Sequence, residues 1–185
     1  MTIYTINIYS PISGYITGRD NYCLAGDTNV NCLGTGAVHY GCNSGSSRVD
    51  IGGSGALYLR ATNVKSFIPR IGYYCCSSTG CANDYKRTIK IELYGKQNAV
   101  CYIGAVLFGH VTSPTVSDGV IYNLTTTAYQ IGSVTTGSCS GCSSGAHSHM
   151  ERFGGSVVAP CCGTSVSSST PIYRFTWDDT ISCPI

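Results

Sequence analysis

Strict alternation of apolar with polar side chains, as in Ile89-Lys90-Ile91-Glu92-Leu93-Tyr94, limits what this chain can become. A period of two puts Ile89, Ile91 and Leu93 on one face of a strand and Lys90, Glu92 and Tyr94 on the other, which suits an antiparallel sheet with one wetted face. Nowhere does a sustained i, i+3, i+4 apolar pattern mark a long helix. Residues 2–9, 56–61, 88–94, 100–108, 119–124, 147–153 and 172–177, rich in β-branched and aromatic side chains, are expected strands. Clusters of Gly, Ser, Asn and Asp between them are expected turns, and residues 165–170 a loop before a terminal strand. No repeat or boundary divides the 185 residues. The expectation is a mainly β fold in a single domain, 1–185, whose antiparallel sheets form a groove.

Cysteine usage sets the compartment. Twelve cysteines, in a chain of which only 11% of residues are charged, suit an extracellular protein whose long loops are stapled by disulfides. Complete pairing would give about six bridges among on the order of ten thousand connectivities, so sequence does not choose among them. The vicinal pairs Cys75-Cys76 and Cys161-Cys162 most simply bond to different partners. Cys139-Ser140-Gly141-Cys142 has the spacing of a zinc knuckle, but its Ser/Gly-rich flanks favour disulfides that pin the loop before His147. The first residues alternate like a strand and lack the basic start and apolar stretch of a secretion signal, which implies a signal or pro-segment outside this numbering. Secretion is expected. A net charge of +2 carries no electrostatic footprint for nucleic acid, no apolar run approaches a membrane span, and a monomer is the expected state.

Chemistry concentrates on the histidines. Only four exist, and two stand one residue apart in Gly145-Ala146-His147-Ser148-His149-Met150-Glu151. On a strand, positions i and i+2 share a face, so both imidazoles enter one site, whereas a helix would splay them. His39 lies in Val38-His39-Tyr40-Gly41, Asp50 follows in Arg48-Val49-Asp50-Ile51, and His110 closes the apolar run 103–109. A hydrolytic zinc site needs three protein ligands of the His/Asp/Glu type and one open position. His39, Asp50 and His149 supply three, leaving His110 and His147 as neutral bases. Each residue also has a plainer reading: Asp50 before Ile51-Gly52-Gly53-Ser54-Gly55 suits a turn cap, His110 a strand-end histidine, and His39 a surface loop residue.

In their order along the chain these segments resemble the lysostaphin-type and β-lytic zinc metallopeptidases, which cut peptide cross-links in bacterial cell walls. The family pattern runs from a His…Asp pair, through a Gly-His-Leu-like segment and an Ile-Gly-x-Val turn, to a Gly-x-His-x-His-Phe-Glu-like segment. The counterparts are His39…Asp50, Phe108-Gly109-His110-Val111, Ile131-Gly132-Ser133-Val134 with Thr136-Gly137, and Ser144 to Glu151. The resemblance covers about residues 35–155 and leaves β extensions at both ends. It departs from the family in the residues between Gly41 and Val49, which lengthen the His-to-Asp spacing; in Ala146, where proline is usual; and in Gly109-His110-Val111 for Tyr-x-His-Leu.

The resemblance implies a lysostaphin-like peptidase fold in which His39, Asp50 and His149 bind Zn2+ and His110 and His147 are catalytic. A secreted endopeptidase acting on bacterial peptidoglycan peptides, with small-residue cross-links as substrates, is what it implies. A zinc ion so held lowers the pKa of a water to about 7, and imidazoles with an ordinary pKa near 6.5 can move its proton. A tyrosine could add an oxyanion donor, Tyr173 being one candidate among 14. Two alternatives stand beside this. One is a catalytically degenerate wall-binding or structural protein on the same scaffold. The other is a disulfide-rich module using tyrosine-rich faces as sugar platforms, with Asn123-Leu124-Thr125 as a glycosylation sequence in a eukaryotic host.

Overall fold

A computed structural model of the chain describes residues 2–19, 46–72, 88–134, 145–153, 156–160, 162–179 and 183. These residues contain no helix; strands β1 to β14 run antiparallel wherever they pair. The largest sheet joins eight of them. Its middle is formed by β2 (Gly14–Arg19), β3 (Ser46–Gly52), β11 (His147–Phe153), β7 (Tyr102–Gly109), β6 (Ile89–Tyr94) and β5 (Ser66–Ile71), side by side in that order. The two-residue strands β13 (Ser165–Val166) and β9 (Tyr122–Asn123) close its edges, beyond β2 and β5 respectively.

Two three-stranded sheets complete the fold. β10 (Ala128–Val134) lies between β4 (Gly55–Arg60) and β8 (Val111–Thr112), and β14 (Pro171–Asp178) lies between β1 (Ile3–Tyr9) and β12 (Ser156–Val157). One hydrophobic cluster fills the space the three sheets share, drawing Ile6 and Ile8 from β1, Val49 and Ile51 from β3, Leu57 and Leu59 from β4, Ile131 from β10, and Ile172 from β14. Cys101 and Cys183 are bonded, tying the entry of β7 to the C-terminal end of the chain across 82 residues. The remaining cysteine expectations, including Cys75-Cys76 and Cys139-Ser140-Gly141-Cys142, lie outside the described residues, as does Cys161.

The alternation in β6 is realised: Ile89, Ile91 and Leu93 are fully buried, while Lys90, Glu92 and Tyr94 are half-buried on the opposite face. Among the described residues, seven strands form outside the runs expected: β2, β3, β5, β8, β10, β12 and β13. β2 and β3 are rich in Gly and Ser, β10 occupies the segment taken as an Ile-Gly-x-Val turn, and β5 contains a proline. Pro69 is accommodated because β9 pairs only with Ser66 and Phe67, so Pro69 donates no ladder bond on that side, and its carbonyl accepts the Gly119 N–H at 2.8 Å. The strand expected over 119–124 is only Tyr122–Asn123. The expected loop 165–170 begins with β13, and its turn is closed by the Thr170 N–H to the Ser167 carbonyl at 2.9 Å.

The consequence for the site lies in β11. It is an interior strand, paired with β3 on one side and β7 on the other. Met150 is fully buried in the core, and Arg152, two residues on, lays its guanidinium 3.5 Å from the centre of the Phe175 ring. His147, His149 and Glu151 alternate with these and therefore project from the opposite face.

Candidate metal centre

The pairing register builds the centre. His149 stands directly across from Asp50 on β3 and from Gly109 on β7, and Glu151 stands across from Arg48 on β3. Directly opposed residues hold their Cβ atoms about 5 Å apart. The Asp50 and His149 side chains therefore meet: His149 Nδ1 lies 2.7 Å from Asp50 Oδ1. On its other side, His149 Nε2 lies 2.7 Å from Glu151 Oε1. An ionised carboxylate only accepts, so both ring nitrogens donate and the ring is an imidazolium clasped by two carboxylates. Arg48 adds a second positive charge, its Nε 3.6 Å from Asp50 Oδ2.

Burial sharpens these interactions. His149 is 5% exposed and Glu151 8% exposed. Burial by itself pushes His149 toward neutrality, yet the hydrogen bonds to Asp50 and Glu151 outweigh it and lift the imidazole pKa to about 9. Burial likewise raises Asp50, but the hydrogen bond and charge of His149, with Arg48 behind them, bring that carboxyl down to about 2.

Two glycines make room for this pair. A Cβ at Gly109 would stand 3.1 Å from His149 Cβ and 3.3 Å from its Cδ2, and one at Gly18, opposite Asp50 on β2, would stand 3.0 Å from Asp50 Oδ2. The neighbouring strands are bare where the carboxylate and the imidazole lean together. Side chains there would crowd both.

The other two histidines sit at the same end of β11. His110 occupies the single residue between β7 and β8 with φ of 58°, a left-handed conformation that costs a side-chain-bearing residue about 1 kcal/mol. It brings the His110 ring to 4.4 Å from His147 and 6.1 Å from His149, centre to centre. His147 Nδ1 donates to the Gly145 carbonyl at 2.9 Å, which makes Nε2 the basic nitrogen of the neutral ring. Burial holds His147 below the ordinary histidine range, against the pull of that hydrogen bond and of Asp50. It is a neutral imidazole beside a charged one.

Of the residues expected to form the site, Asp50, His110, His147 and His149 converge, and His39 lies outside the described residues. Asp50 lies within β3 and does not cap a turn. Tyr173 corrects the sequence expectation: it is 1% exposed, and its hydroxyl donates to the Met150 carbonyl at 3.0 Å, so it serves the core and not an oxyanion. Glu151 and Arg48 had no role assigned from sequence. The period of two in Arg48-x-Asp50 and His147-x-His149-x-Glu151 was the signal that could have placed them on the site's face.

Asp50 Oδ1 and, once its proton is released, His149 Nδ1 are the atoms that would hold a zinc ion, with a carboxylate behind the imidazole as is usual for metal-ligating histidines. The donor types fit zinc, and the third ligand expected, His39, belongs to the undescribed segment. Among the described residues, no group of three or more His, Cys, Asp or Glu side chains is placed to hold a metal ion. Compared with protein-family models, with curated proteins and with solved structures, the chain matches none.

Proposed function

We propose that this chain is a secreted zinc-dependent endopeptidase that hydrolyses peptide cross-links of bacterial peptidoglycan, with zinc held by His39, Asp50 and His149. The observation that carries the reading is the contact of Asp50 with His149 Nδ1 beside the paired rings of His110 and His147. Two residues able to bind zinc and two able to move protons meet at one end of β11, having come from three separate stretches of sequence.

Bound zinc would polarise a scissile carbonyl and lower the pKa of a water to about 7. The chain's own side chains do the rest. His147, kept neutral by burial and with Nδ1 committed to Gly145, offers Nε2 to accept a proton and return it to the leaving amine. His110, held against His147 by its left-handed backbone, completes the pair and orients the reacting groups. Glycine- or alanine-rich cross-links are the substrates that the resemblance implies.

One observation favours a second reading. Both nitrogens of His149 are already met by carboxylates, a self-satisfied arrangement that a catalytically degenerate wall-binding protein could keep without turnover. Zinc content of the purified chain, measured alongside clearing of bacterial cell-wall suspensions, separates the two. Stoichiometric zinc with wall clearing is the expected result. Zinc without lysis supports the degenerate scaffold, and absence of zinc uptake sinks both the metal site and the peptidase.

A further inference from the structure

We propose that the outer face of β5, β6 and β7 is a saccharide-binding platform whose occupant is the glycan strand of the bacterial wall; the choice of that glycan rests on the peptidase reading. Glu92 lies at the middle of the platform, and its carboxylate is tethered by its neighbours. Arg70, on β5, donates to it from Nε at 3.2 Å and pairs with it through Nη2 at 3.1 Å, the Tyr94 hydroxyl donates at 3.4 Å, and Lys90 Nζ stands 3.8 Å away. Tyr102 stands directly across from Tyr94, the two rings 5.8 Å apart and inclined at 71°. Tyr94 thereby props Tyr102, which remains 52% exposed. Opposite Glu92 on β7 is Ala105, so the floor beside the charged row is low.

The combination matches a pyranose. Such a ring has an apolar C–H face and a rim of hydroxyls, each of which both donates and accepts. An exposed tyrosine offers an apolar plane with a polar tip, Arg70 and Lys90 offer donors, and Glu92 offers an acceptor. Because the charged row is already paired within itself, little ordering is left for binding to supply. Burial and the charge of Glu92 hold both phenols above the ordinary tyrosine range, so their hydroxyls keep their protons. Other occupants fit less well. A nucleic acid would meet two cations with a carboxylate between them, on a chain whose net charge is only +2. An apolar peptide would strip water from the charged row without replacing its hydrogen bonds. Placement favours the wall glycan. Directly opposed residues share a face, and Leu107 stands opposite Glu151 of β11 on one side and Lys90 of β6 on the other. The platform therefore looks out from the same side of the sheet as His147 and His149, and a glycan seated on it carries its peptides over that surface.

The test is calorimetric binding of the full chain to soluble, peptide-free glycan strands prepared by amidase digestion of bacterial walls. Tyr102→Ala is expected to bind about tenfold more weakly or worse, the loss typical of a central aromatic anchor, and Tyr102→Phe, which keeps the ring, to stay within about threefold of the wild type. Arg70→Ala, which releases Glu92 from its tether, should also bind more weakly, and it decides the matter if Tyr102→Ala fails to fold. Tyr15→Ala removes a tyrosine that is 53% exposed on β2 and is the control expected to change nothing. Tyr102→Ala should cleave a glycan-free cross-link peptide at the wild-type rate while clearing intact walls more slowly. Wild-type affinity in Tyr102→Ala, an equal loss in Tyr15→Ala, or tighter binding of cellohexaose than of the glycan strands overturns the platform, and cleavage of the free peptide by the wild type leaves the peptidase reading standing. If the wild type binds the glycan strands but cleaves no peptide, the peptidase reading fails and the platform stands.

Discussion

Asp50 and His149 are 99 residues apart in sequence and face one another across adjacent antiparallel strands, carboxylate Oδ1 to imidazole Nδ1 at 2.7 Å. The contact joins two groups whose protonation states depend on each other, in a place where water screens little. Removing Asp50 leaves His149 with Glu151, and removing His149 leaves Asp50 with the longer contact to Arg48, so either loss unbalances a buried charge cluster.

Asp50→Ala is therefore expected to cost both metal and stability. A buried ion pair broken on one side destabilises by about 3–5 kcal/mol, because the surviving charge stays desolvated. Zinc content should fall to background and the denaturant midpoint of the metal-free protein should drop. An Asp50→Ala protein that keeps stoichiometric zinc would show that the carboxylate is not a ligand.

His147→Ala and His110→Ala address turnover instead. Neither imidazole is assigned to hold the metal, so zinc should remain, whereas loss of a positioned proton carrier lowers the rate about 10²- to 10⁴-fold. Wall-clearing rates and zinc content measured on the same preparations check this. Unchanged clearing in both variants would remove the two rings from the mechanism.

Acidity should act on the chelator-treated protein in a defined window. His149 is raised from 6.5 to about 9 on folding, so its contribution is complete below pH 6.5 and is lost as pH rises through 9. Asp50 is lowered from 3.8 to about 2, so its contribution is present above pH 3.8 and is lost as pH falls through 2. Melting temperatures without metal should be highest between those limits, near pH 4 to 6.5, and decline toward pH 9. A His149→Gln protein should lose the alkaline decline. If the wild-type profile stays flat from pH 6 to 9, the two carboxylates do not hold His149 as an imidazolium.

Gly109→Ala tests how tightly the ring is packed. The new methyl would stand 3.1 Å from His149 Cβ and force a shift, and overpacking of this kind costs about 1–3 kcal/mol. Zinc affinity and thermal stability should both fall. Gly145→Ala, just before the His147 strand and with nothing within 4 Å of the added atom, is the control expected to change neither. Equal behaviour of the two variants would mean that the β7 backbone does not confine His149.

Much of the local structure was legible from side-chain order. The alternation in β6 and the placing of His147 and His149 on one face both follow from the period of two, which is a property of any extended chain. Strands β2, β3 and β10 were not legible, because Gly and Ser carry little strand preference and form strands only when neighbouring strands supply their hydrogen bonds. Pro69 masked β5 for a related reason: whether a proline is tolerated depends on which side of the strand is paired.

By itself, then, the order of residues determined a β chain, a face shared by His147 and His149, and a set of side chains able to bind zinc and carry protons. Tertiary structure alone decided that Asp50 lies level with His149, that Glu151 closes the far side of the ring, that His110 turns back on His147, and that Tyr173 is spent on the core. The reason is register. A slip of one residue between β3 and β11 would leave Asp50 opposite a core-facing neighbour, and no local pattern in either strand encodes that alignment; it is set by the burial of Val49, Ile51 and Met150 beneath them.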